Sequence, residues 1–132
     1  MPVVVYMAAI FYVSSLPQPP IPAGGDKPWH AIAYCGLAIV VVRAVAGGLP
    51  RRFAARTAAV AIAITATYAA TDEIHQMFVP GRSAEVADLI FDTLGACVGT
   101  SACWAWGVIR HKAQVTSHKS QVTSQKPTDC DL

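Results

Sequence analysis

Charge is what this sequence has least of. Asp, Glu, Lys and Arg make up 14% of its 132 residues, where a soluble globular domain carries about a quarter, and this argues against a water-soluble fold. The net charge of +2 is too small an electrostatic footprint for a nucleic-acid partner. The four cysteines include no C-x-x-C pair, and neither H-E-x-x-H, a nucleophile elbow nor a phosphate loop occurs. Those gaps remove the common zinc, hydrolase and nucleotide signatures, so no cofactor and no metal site is expected from motifs. The remainder is apolar: 54% of residues are hydrophobic and mean hydropathy is +0.42, which excludes disorder for most of the chain.

The apolar residues come in runs. Met1 to Leu16 has no charge, Trp29 to Leu49 only Arg43, Phe53 to Thr71 only Arg56, and Leu89 to Ile109 only Asp92. A bilayer core about 30 Å thick needs about 20 apolar residues in a helix, and the last three runs meet that length. The first is short. It lacks the basic flank of a signal peptide, and it reads better as a first span whose start is clipped. Pro17, Pro19, Pro20 and Pro22 end it. The sequence thus predicts an all-α fold, a polytopic membrane four-helix bundle over residues 1–112. A polar tail over 113–132, carrying the near repeat QVTSHKS and QVTSQKP, is expected to be disordered. Cys35, Cys97 and Cys103 fall in spans as small apolar filling, and Cys130 falls in the tail.

Lys and Arg set the orientation. Arg43, Arg51, Arg52 and Arg56 surround the connection between the second and third runs, and Arg110, Lys112, Lys119 and Lys126 follow the fourth. The positive-inside rule then puts both termini in the cytoplasm and loops 17–28 and 72–87 outside. Trp104 and Trp106 suit the inner interface and Trp29 the outer one.

The fourth run repeats Asp88, Asp92, Gly95 and Gly99 at steps of four, three and four, which is one helix face. Gly95 and Gly99 form G-x-x-x-G, a close-packing signal in lipid. It is read first as packing within the bundle, with service to a dimer as the alternative. Asp88 and Asp92 point the same way. In the third run Thr65, Ala69, Glu73 and Gln76 share a face. Pro80-Gly81 marks a turn, Ser83 is a candidate N-cap for the fourth helix, and Glu85 falls in its first turn. The second run opens with Asp26 as a cap, Lys27, His30 and Tyr34. The topology brings Asp26, Lys27, His30, Tyr34, Glu73, Gln76, Arg82, Asp88 and Asp92 to the outer end, where a polar pocket is expected. Buried ionisable groups in a span are costly and usually functional.

These residues carry a resemblance. SSLP at Ser14–Pro17, DKPWHAIAYCGLA from Asp26 and DEIHQMFVPGRSAEVADLIFDTLGA from Asp72 resemble the VanZ-like membrane protein family over about residues 8–110. The motifs are D-K-x-x-H-x-x-x-Y, E-x-x-Q-x-x-x-P-x-R and D-x-x-x-N-x-x-G, and the last departs from the pattern because Asp92 stands where the family usually has Asn. That extra charge would alter ligand preference or pair with Arg82. The resemblance implies four membrane helices in the bacterial cytoplasmic membrane and a link to teicoplanin-type glycopeptide resistance, but no reaction.

Three functions compete. The first is binding of an envelope lipid, a cell-wall intermediate or a glycopeptide, with Lys27 and Arg82 on an anionic group. The second is an intramembrane enzyme with His30 as base and Glu73 or Asp88 as acid, of which a metal variant would use His30, Glu73 and Asp88. The third is transport through Glu73 and Asp92, which four short spans would support only as oligomers. The expected partners are membrane lipids.

Overall fold

The computed structural model describes residues 2–17, 27–48 and 54–124, and the side chains of these as far as residue 117. Four helices follow in order: α1 Pro2–Ser14, α2 Lys27–Val45, α3 Ala55–Gln76 and α4 Val86–Ser124. No strand occurs among the described residues. Asp26, Arg51, Arg52, Pro19, Pro20, Pro22 and Cys130 lie outside them.

The closest helix pair is α2 with α4, and glycine is the reason. A Cβ on Gly95 would fall on the carbonyl oxygen of Ala31, and one on Gly99 on that of Cys35. Both contacts advance by four residues in the same direction, so α2 and α4 run parallel with their backbones in contact. The small-residue face of α4 thus packs inside the chain. Asp88, Asp92, Ala96 and Thr100 are buried beside the two glycines. On α3 the buried positions are Ala61, Thr65, Ala69, Asp72, Glu73 and Gln76, again a single helical face. The core joins Tyr34, Leu37, Val41 and Val42 of α2 to Ala61 and Ala69 of α3. The short α1 lies on this pair: Tyr6 reaches over Gly36, where any side chain would collide with its hydroxyl, and Tyr68 donates to the Met7 carbonyl at 2.7 Å.

Two helices, α2 and α4, are long and apolar enough to cross a membrane. Only 33% of the apolar stretch of each is buried inside the chain. The rest leaves large side chains exposed, among them Ile32, Ile90, Leu94, Val98, Trp104 and Trp106, a surface suited to lipid rather than water. The 13 residues of α1 reach about 20 Å at 1.5 Å per residue, short of the hydrocarbon thickness. Alanine and threonine dilute the apolar character of α3 despite its 22 residues.

Two local expectations change. Helix α4 runs on past residue 112 to Ser124, where irregular chain was expected, because residues 113–124 contain neither glycine nor proline and the next proline is Pro127. Ser83 does not cap α4, whose first helical residue is Val86; Glu85 holds the cap position, and its carbonyl accepts the Asp88 N–H at 2.9 Å. The preceding turn is as the sequence predicts. Gly81 has φ of 81°, and the Arg82 N–H closes on the Val79 carbonyl at 3.1 Å, a type II turn with proline and glycine at its centre.

The glycine contact makes a direct prediction. Gly95→Leu or Gly99→Leu forces α2 and α4 apart and should cost about 1–3 kcal/mol or more of stability, the usual range for overpacking. Denaturant unfolding in micelles reads this, with Gly107→Leu, farther along the same face, as a milder comparison.

Candidate functional site

The C-terminal ends of α1 and α3 and the N-terminal ends of α2 and α4 meet at one end of the bundle, and the polar side chains meet with them. Three groups of contacts form there. The outermost joins Lys27 to α4: its Nζ is 2.8 Å from Glu85 Oε2 and 3.6 Å from Asp88 Oδ1. The first distance is a charge-assisted hydrogen bond. The second is an ion pair too long for one. Lys27 and Glu85 are half-exposed, so their pairing contributes at most about 1 kcal/mol.

Deeper lies the second group. His30 Nδ1 stands 3.2 Å from Asp92 Oδ1, with only 10% and 1% of these side chains exposed. Glu73 comes in from α3, and its Oε2 accepts the Glu85 backbone N–H at 3.1 Å. One ligand-capable atom from each of His30, Glu73 and Asp92 lies within 4.8 Å of the other two. Glu73 Oε1 and Asp92 Oδ2 are buried with no hydrogen-bond partner. Asp92 thus pairs with His30, whereas among the described residues no carboxylate pairs with Arg82. The ligand-type trio includes Asp92 where the sequence reading had Asp88.

The third group centres on Asp72, which sequence reasoning left out. Its Oδ1 accepts from Ser14 Oγ at 2.6 Å. Its Oδ2 accepts from Tyr34 hydroxyl and from Gln76 Nε2, both at 3.3 Å. One carboxylate therefore ties α1, α2 and α3 together. Nearby, Ser15 Oγ bonds His75 Nε2 at 2.9 Å, and the ring of Phe11 covers that of His75 at 4.3 Å. A signal for Asp72 was available: Ala61, Thr65, Ala69, Asp72 and Gln76 step by four, four, three and four, the same face that led to Glu73.

Between α1 and the head of α2 opens a cavity of about 450 Å³. Ala9, Ile10, Val13 and Ala33 give it an apolar wall, while His30, Asp72, Gln76 and Arg82 line its polar end. Of the residues the sequence singled out, His30, Tyr34, Gln76 and Arg82 line this cavity, and Glu73, Asp88, Asp92 and Lys27 do not. Asp26 lies outside the described residues.

The sequence profile of the VanZ/LLP1 family matches residues 28–109, from the first turn of α2 to the middle of α4. The chain belongs to the VanZ/LLP1 family. The match takes in His30, Tyr34, Asp72, Glu73, Gln76, Arg82, Asp88 and Asp92, so nearly all of this polar end is VanZ/LLP1 sequence, whereas α1 with Ser14 lies before it. No curated protein and no solved structure matches the chain.

Asp72 is the tie whose loss should be felt most in this VanZ/LLP1 bundle. Asp72→Ala takes the acceptor from the Tyr34 hydroxyl and Gln76 Nε2 and leaves Ser14 Oγ only the Phe11 carbonyl, and should cost about 1–3 kcal/mol. Ser14→Ala removes one donor and should cost less. The ratio of the two, from unfolding in micelles, checks the assignment.

Proposed function

We propose that this VanZ/LLP1 protein is an integral protein of the bacterial cytoplasmic membrane. Its four helices span the bilayer, both termini are cytoplasmic, and the cavity opens outward to hold the anionic end of an envelope lipid or lipid-linked cell-wall intermediate. The orientation is supported by the basic residues, which crowd the α2–α3 connection and the far part of α4.

The observation that carries the binding reading is the cavity. Its size lies in the usual range for small-ligand sites, its wall is apolar, and Arg82 stands at its polar end. Arg82 has no carboxylate partner among the described residues, and a guanidinium there is available to bind a phosphate or carboxylate in bidentate fashion. Lys27 is engaged by Glu85 and Asp88, so the anion-holding role falls on Arg82 first. A whole glycopeptide is far larger than this cavity. A part in teicoplanin-type resistance would therefore run through an envelope lipid.

A second reading is an intramembrane enzyme, favoured by the buried His30–Asp92 pair with Glu73 beside it, an acid–base arrangement. Loss of turnover on an envelope substrate in His30→Ala and Glu73→Gln would support it.

Native mass spectrometry of the protein extracted with its lipids tests the binding reading. Wild type should retain an anionic lipid or a polyprenyl phosphate, and Arg82→Ala should retain it at least about tenfold less, the equivalent of about 1.4 kcal/mol. Identical lipid profiles would overturn the reading.

A further inference from the structure

The arrangement at the head of the bundle goes beyond ligand binding in the cavity. We infer that His30, Glu73 and Asp92 form a binding site for one first-row divalent cation, such as Mn²⁺ or Zn²⁺, held between α2, α3 and α4.

The donors are the starting point. An imidazole nitrogen and two carboxylate oxygens lie within 4.8 Å of one another. Neighbouring ligands placed about 2.1 Å from a common ion stand about 3.0–3.4 Å apart, so side-chain closure of up to about 1.5 Å brings all three onto one ion. The three side chains come from three different helices, and each is anchored near the site: Glu73 by the Glu85 N–H, His30 by Asp92, and Asp92 by the helix face that Gly95 locks onto Ala31.

The second observation is the unused capacity. Asp92 is 1% exposed and Glu73 7%, yet Asp92 Oδ2 and Glu73 Oε1 have no hydrogen-bond partner. A buried carboxylate oxygen without a donor is costly, and the two carboxylates that carry these oxygens are the ones grouped with the His30 imidazole, a set with acceptor capacity left for a cation. The described cation nearest the end of α2, Lys27, lies on Glu85 and Asp88. A dication would balance the two carboxylates with His30 neutral. Mixed imidazole and carboxylate donors suit Mn²⁺, Fe²⁺ and Zn²⁺ better than Mg²⁺ or Ca²⁺, which favour all-oxygen shells. Three protein ligands also leave coordination positions open. His30 lines the cavity as well, so the ion would stand next to whatever the cavity holds. The inference does not depend on what that ligand is.

The test uses the full chain, carrying a tag free of histidine, in detergent micelles stripped with chelator. Equilibrium dialysis against Mn²⁺ and, separately, Zn²⁺ is followed by elemental quantitation. Wild type should bind one ion per chain. His30→Ala and Asp92→Asn should each weaken binding by at least about tenfold. The double variant His111→Ala/His118→Ala, which removes the histidines of the far part of α4, should bind as wild type does. Failure of wild type to bind either metal overturns the inference. So does binding retained in His30→Ala and Asp92→Asn, or binding lost with the distal histidines. Should the site variants fail to fold, pulsed electron paramagnetic resonance of Mn²⁺ on wild type decides: modulation from a coordinated imidazole nitrogen supports the site, and its absence overturns it.

Discussion

The polar end of this protein depends on how closely α2 and α4 approach. With a side chain at Gly95 or Gly99, the two backbones could not touch at Ala31 and Cys35. The separation would then carry Asp92 away from His30, since that pair sits just beyond the first glycine contact along the same two helices. In lipid, where burial of apolar surface gives helices little reason to associate, close packing and interhelical polar contacts take over. Here the two are joined. The small residues bring the helices together, and the acids on the same face, Asp88 and Asp92, are thereby buried against Lys27 and His30.

The third helix completes the arrangement. Its last turns bring Asp72, Glu73 and Gln76 to the same end, where adjacent carboxylates do different work. Asp72 is satisfied by Ser14, Tyr34 and Gln76 and acts as a tie between helices. Glu73 and Asp92 each keep one oxygen without a donor. Burying such groups is expensive, and the contrast between a carboxylate whose two oxygens both accept and carboxylates that keep a bare oxygen, Asp88 Oδ1 having only Lys27 at 3.6 Å, separates what holds the fold from what is open to a ligand or an ion.

Much of the architecture was legible because it rests on periodicity and charge placement. The step of four, three and four through Asp88, Asp92, Gly95 and Gly99 identified the face that packs against α2, and the charge-poor runs located the helices. Other features depend on geometry that spacing does not encode. Asp72 shares its face with residues that were singled out, but its three donors come from α1, α2 and α3, which no local pattern reveals. Lys27 reads in sequence as a cation for an anionic ligand and is held by Glu85 and Asp88 in the fold. Asp92 meets His30 rather than Arg82 because the α2–α4 register, set by the glycines, places the imidazole first. The polar repeat beyond residue 112 looks like a tail by composition, yet lacks the glycine or proline that would stop α4 before Ser124.

The glycine-mediated approach of α2 and α4 is what holds His30 and Asp92 in contact. A solid-state NMR dipolar measurement between ¹⁵N-labelled His30 and the ¹³C-labelled carboxylate of Asp92, on protein in lipid vesicles, tests this most directly. Strong coupling in wild type, as fits the 3.2 Å contact, that disappears in Gly95→Leu is the result the account predicts. No coupling in wild type, or coupling unchanged in Gly95→Leu, would contradict it.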